Sequence, residues 1–156
     1  MFRRLTPLLA AAGIALAGCS TDSPPEVGFY AHGESARIAP AQYCGKSGEE
    51  CVPPPPNPTG KLEVPPRSPL QISVPSEVAA SPWQVAFVYR TADGEERGNR
   101  TPVFAPDQQH AYTLRLPPDG TQLEHVEVQQ YSGQLTVSPE GELNFGISGS
   151  WLLDTA

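Results

Sequence analysis

The sequence predicts an all-β sandwich behind an N-terminal export segment, and three observations carry that expectation. Apolar and polar residues alternate in short runs along most of the chain, the period of a strand half-buried in a sheet. Nineteen of the 156 residues are proline, against roughly 5% in average usage, and each proline inside a helix costs about 3 kcal/mol. Turn signals rich in Pro and Gly recur about every ten residues, the spacing of a small sandwich of immunoglobulin or fibronectin type. A small β-barrel is the alternative architecture. Hydrophobic residues make up 38% of the chain, which is too many for wholesale disorder. The length suits one domain. A net charge of −7 with ten Lys and Arg argues against a nucleic-acid partner, which needs a basic face.

The first residues read as an address. Arg3 and Arg4 precede an apolar stretch from Leu8 to Leu16, interrupted only by Gly13. That length suits a signal-peptide core and falls far short of the ~20 residues that span a bilayer. The stretch ends in Leu16-Ala17-Gly18-Cys19, which reads as a lipobox. Small residues fit the signal peptidase, and the Cys19 thiol is the nucleophile that accepts diacylglycerol. Ala15-Leu16-Ala17 also fits ordinary secretory cleavage, but Cys19 stands where the apolar run stops. Residues 1–18 are therefore expected to be removed, 19–25 to form a lipidated tether, and 26–156 to form one domain. Each buried methylene contributes about 0.8 kcal/mol, so several acyl chains, palmitate among them, hold a protein on the extracytoplasmic face of the cell membrane. Losing Arg3 and Arg4 leaves a net charge of about −9, which an anionic lipid surface repels. The tether reaches at most about 25 Å, so a partner has to come close to the membrane.

The cysteines agree with export. With Cys19 lipidated, Cys44 and Cys51 remain as a pair, and an oxidising compartment preserves a disulfide. The segment between them contains Gly45 and Gly48 and no bulky apolar residue, so it can fold back. Closing so short a loop contributes roughly 2.5 kcal/mol in the chain-entropy model. A metal site needs further Cys or His nearby, and a redox pair usually has C-x-x-C spacing; neither is present.

The strands follow in order. Val27 and Phe29 alternate, and Ala36 with Ile38 makes a second short run. Val52–Pro58 holds five prolines and is expected as extended polyproline II; a stiff surface crossing accounts for it without a proline-reading partner. Leu70, Ile72 and Val74 face one way, with Gln71 and Ser73 opposite. Trp83, Val85, Phe87 and Tyr89 form the longest apolar stripe, against Gln84, Ala86, Val88 and Arg90. Asp93-Gly94 signals a turn, Val103-Phe104 a short apolar step, and Tyr112, Leu114 and Leu116 another stripe. Pro117–Gly120 turns the chain into Val126 and Val128, which alternate with His125, Glu127 and Gln129. Leu135 and Val137 precede the turn at Pro139–Gly141. The last strand sets Leu143, Phe145, Ile147, Gly149 and Trp151 against Asn144, Gly146, Ser148 and Ser150. Cys44 and Cys51 are too close in sequence to join distant strands, which favours fibronectin type III over an antibody domain.

Chemistry is sparse. No H-E-x-x-H, P-loop, G-x-S-x-G or G-x-G-x-x-G is present, and Gly146–Ser150 has the wrong spacing for a hydrolase elbow. His125 and Glu127, two residues apart on a polar face, are the nearest approach to an acid–base or metal pair, though a solvated edge explains them equally well. His32 and His110 sit where a turn and a strand start are expected. The segment Thr91–Arg100 reads as a long, flexible connection carrying Asp93, Glu95, Glu96, Arg97 and Arg100. Sandwich domains often bind through such end loops, so these five are the candidate binding residues beside the plain reading as a solvated turn. Tyr89 and Tyr131 fit either the core or an aromatic contact surface.

Several motifs carry a resemblance. Leu16–Cys19, Pro25-Glu26-Val27 with Phe29-Tyr30, and Gln42-Tyr43-Cys44 are three of them. Ile72–Pro75, Pro82–Val85, Thr101–Pro106 and Val126–Gln129 complete the set. Together they resemble a family of actinobacterial lipoproteins whose domain has no assigned function, over nearly the whole mature chain. The resemblance implies an envelope location and a single-domain lipoprotein, and it brings no catalytic or binding residues. The expectation is a non-enzymatic envelope protein, without cofactor or metal, that binds a protein or cell-wall component near the membrane. Its rivals are a small envelope enzyme using His125 and Glu127, and a carrier with an apolar cavity between its sheets.

Overall fold

A computed structural model describes residues 23–45, 50–137 and 139–155. The expected signal peptide 1–18 and Cys19 lie outside the described residues. In chain order the elements are β1 (Val27–Ala31), β2 (Glu34–Ile38), β3 (Gln42–Tyr43), β4 (Thr59–Lys61), β5 (Leu70–Ser73) and α1 (Ser76–Ala79). Then come β6 (Trp83–Thr91), β7 (Glu96–Arg100), β8 (Ala111–Leu114), β9 (Gly120–Val137) and β10 (Leu143–Asp154). Strands β2-β1-β5-β8 form one sheet and β3-β10-β9-β6-β7 the other, with β4 pairing in parallel along β10. Neither sheet closes on itself, so the barrel alternative is set aside and the sandwich stands. With β1, β5 and β8 in one sheet and β7-β6-β9-β10 in the other, the connectivity is that of a fibronectin type III domain.

The inward rows explain why the sheets stick. Val85, Val128 and Trp151 lie side by side across three strands, and Phe87, Val126 and Leu153 form the next row. All six are buried, facing Val27, Phe29, Leu70, Ile72 and Leu114 of the smaller sheet. Each such side chain contributes about 1.5–3 kcal/mol on full burial. Trp83 is fully buried at the head of β6, its ring 4.5 Å from that of Phe104, and its Nε1–H donates to the Gln109 carbonyl at 3.1 Å. At the opposite edge Trp151 Nε1–H donates to the carbonyl of Pro25 at 2.8 Å. That bond pins the chain to the core immediately before β1.

Three departures from the sequence pattern have physical causes. A short helix, α1, follows Pro75 and buries Val78 and Ala79; its carbonyls at Glu77 and Val78 accept from the buried Gln130 Nε2 at 2.9 and 3.2 Å. The runs around Val126 and Val137 are not two strands but the single long β9. In β10 the alternation expected to bury Phe145 and Ile147 is broken, leaving them 55% and 38% exposed. Register shifts on either side of Ile147 re-aim the strand, and Ser148 takes a buried position. The Val52–Pro58 run forms no regular strand beyond an isolated bridge from Val52 to Tyr43.

Candidate functional site

The segment read as a flexible loop is a hairpin. Thr91 N–H donates to the Glu95 carbonyl at 2.8 Å and Gly94 N–H to the Thr91 carbonyl at 3.0 Å, while Gly94 takes the left-handed φ of 83° that the tight turn needs. Residues 96–100 then pair with β6 as the edge strand β7. The expectation of a long loop is corrected here: the hydrogen bonds of β6 extend over residues that composition alone marks as solvated. Charges near the turn are spent within the molecule. Arg97 meets Glu95 at 2.8 Å and Asp119 at 2.7 Å, and Arg90 lies 2.7 Å from Glu124 and 4.0 Å from Glu96. The bond to Glu95, then the fields of Glu95 and Asp119, raise the Arg97 pKa further above its ordinary value. Exposed pairs of this kind add little to stability, because solvent screens them. Asp93 stands at the turn itself.

Arg100 belongs elsewhere. Register places it beside Ala86 on the outer face of the larger sheet, and Ala86 lies beside Glu127. One position along, Gly98, Val88, His125 and Asp154 form the next outward row. A shallow hollow of about 410 Å³ opens over Ala86, Val88 and Gly98, with Arg100, His125 and Glu127 on its rim. The two candidate sets therefore meet at one residue: Arg100 joins His125 and Glu127, and the other four stay at the hairpin tip. Asp154 was missed by sequence reasoning. Its carboxylate Oδ1 lies 2.8 Å from His125 Nδ1, and only the pairing of β9 with β10 reveals this.

The neighbouring row is a polar network. Gln84 Nε2 donates to Gln129 Oε1 at 2.9 Å and also to the Tyr131 hydroxyl, which itself bonds Gln129 Oε1 at 3.3 Å. Burial pushes the Tyr131 pKa up, Glu127 adds to the shift, and Arg100 with the Gln84 bond opposes it. Tyr43 on β3 is likewise raised, by burial and then by Glu77.

The groups at this hollow are an oriented imidazole, a guanidinium and a carboxylate. An Asp–His pair holds an imidazole in a fixed orientation, but no Ser, Thr or Cys lines the hollow to be activated by it. Among the described residues no group of three or more His, Cys, Asp or Glu could hold a metal ion. His32 lies at the β1–β2 turn with φ of 48°, His110 is exposed before β8, and Tyr89 is core at 5% exposure. Cys44 and Cys51 form the expected disulfide, and the Cys44 N–H donates to the Ser148 carbonyl at 2.7 Å.

Comparison with known proteins finds a family and several relatives. A family described as "Protein of unknown function (DUF2771)" matches residues 20–156. An uncharacterised protein of Mycobacterium bovis is 30% identical over 129 residues, covering 81% of this chain and 75% of the relative. Uncharacterised proteins from two Mycobacterium tuberculosis strains, CDC 1551 and H37Rv, match to the same extent. No solved structure matches.

Proposed function

The chain belongs to the DUF2771 family of proteins of unknown function, and from that premise we propose that it is an envelope lipoprotein with a non-catalytic binding domain. Cys19 carries the lipid, and the sandwich binds a protein or cell-wall component close to the extracytoplasmic face of the membrane. The observation that carries this reading is the bond from Trp151 Nε1 to the Pro25 carbonyl. It ties the chain to the core at Pro25, six residues after Cys19, which supports a short leash. The polar outer face of the larger sheet, with Arg100, His125 and Glu127 about a hollow, supports recognition on that face. The core weighs against a carrier: Trp83, Trp151, Phe29 and Leu70 are fully buried where a cavity would have to be.

The test is Cys19→Ala. The variant is expected to leave the membrane fraction; a variant that stays membrane-bound contradicts the anchor. One further observation, the 2.8 Å pairing of His125 with Asp154, favours a second reading as a small enzyme acting on envelope glycan or lipid. Turnover of such a substrate by the intact chain, abolished in His125→Ala, would establish it in place of the first.

A further inference from the structure

The outer face of the smaller sheet carries a second hollow, of about 460 Å³, remote in character from the charged one. Two outward rows cross it. Arg37, Gly28, Ser73 and Ala111 lie side by side in one, and Ser35, Tyr30, Gln71 and Thr113 in the next. The first row is low because its middle members are small; a Cβ on Gly28 would meet Ser73 Oγ at 2.6 Å, so the Ser73 hydroxyl would have to turn away. The second row sets a tyrosine in the midst of hydroxyl and amide side chains. Tyr30 is 45% exposed, although Phe29 and Ala31 on the same strand are core.

Two features restrict what can occupy the hollow. The side chains of Ser35, Tyr30, Gln71 and Thr113 make no hydrogen bond among the described residues, so their donors and acceptors are unspent. The charges at its border are already matched, since Arg37 Nε lies 3.2 Å from Glu26 Oε2. The one cation in the lining, Arg37, is shared with Glu26, and the wall mixes apolar surface with the polar atoms of these four side chains, which suits a neutral ligand having both apolar and hydroxyl-bearing faces. A pyranose fits both features. Its C–H face is weakly positive and is attracted to the negative face of an aromatic ring, and its hydroxyls donate and accept, as amide and hydroxyl side chains do.

We propose that this hollow binds a neutral saccharide, stacked on Tyr30 and held by Ser35, Gln71 and Thr113. The inference goes beyond the binding reading above: it assigns a separate site, on the opposite face of the sandwich from Arg100, His125 and Glu127. Because Glu26, at the edge of the hollow, follows the pinned Pro25, the site opens beside the root of the tether.

The test is an NMR titration of the full chain in a detergent without a sugar headgroup. The probes are chitotriose, cellotriose and maltotriose, with trigalacturonic acid and trialanine as charged and peptide comparisons. At least one neutral trisaccharide is expected to shift the amides of residues 28–37, 71–73 and 111–113 saturably. Tyr30→Ala is expected to weaken binding about tenfold, and Tyr30→Phe, which keeps the ring, to change it less than about twofold. Because Tyr30 is exposed, both variants should keep the amide dispersion of the parent. The proposal is overturned if no neutral trisaccharide shifts those amides, if Tyr30→Ala binds as the parent does, or if only the uronate or the peptide binds. Protein with and without lipid at Cys19 serves equally, so loss of the anchor and loss of saccharide binding are read separately.

Discussion

Trp151 acts on both of its neighbours, and single substitutions expose this. Trp151→Phe keeps most of the ring but removes the donor to Pro25. It should cost about 1–2 kcal/mol and speed hydrogen exchange at the amides of Val27–Ala31; unchanged exchange there would mean that Pro25 is held by something else. Gly149 is the counterpart. A Cβ on it would sit 2.8 Å from Trp151 Cη2 and 3.0 Å from Gln130 Oε1, both on buried side chains with no free direction to move. Gly149→Ala should therefore lower stability by about 1–3 kcal/mol, read as a fall in the urea midpoint. Tyr131 sets an alkaline limit. Its folded pKa lies above the ordinary value near 10, so its contribution is complete below that value and is lost as pH rises through the folded one. Thermal midpoints measured across alkaline pH should fall, and less steeply in Tyr131→Phe.

At the scale of elements, the disulfide and β3 work together on the edge of β10. Cys44 donates to Ser148 and Val52 to Tyr43, so both ends of the bridged segment are held by backbone bonds. Replacing both cysteines by serine should cost about 2.5 kcal/mol, measured as the gap between oxidised parent and double variant in urea. A negligible gap would show that the loop is already held by its backbone bonds. The stripes of β1, β5, β6 and β8 were legible because each has one face on the core, and alternation reports that directly. The β10 stripe misled because a register shift moves side chains between faces without any change in composition. The polar edge strand β7 was invisible for a related reason: all five of its residues are exposed, so no apolar period marks it. Its charges suit a sheet edge that must not recruit another strand.

At the scale of the whole molecule, two outer sheet faces differ in chemistry while sharing one filled core. The larger carries Arg100, His125, Glu127 and Asp154, and the smaller carries neutral Tyr30, Gln71 and Thr113 around its hollow. Neither group was legible as a group in the sequence. His125 and Glu127 were visible as a local pair, whereas Arg100 and Asp154 reach them through strand pairing over long separations. The lipobox, by contrast, is a contiguous signal that could be read directly, and the proposed placement of the domain at the membrane rests on it. Mass spectrometry of the mature amino terminus tests that placement most directly. The expected product begins at Cys19 with diacylglycerol on its sulfur; an unmodified Cys19, or a chain that retains residues 1–18, would contradict it.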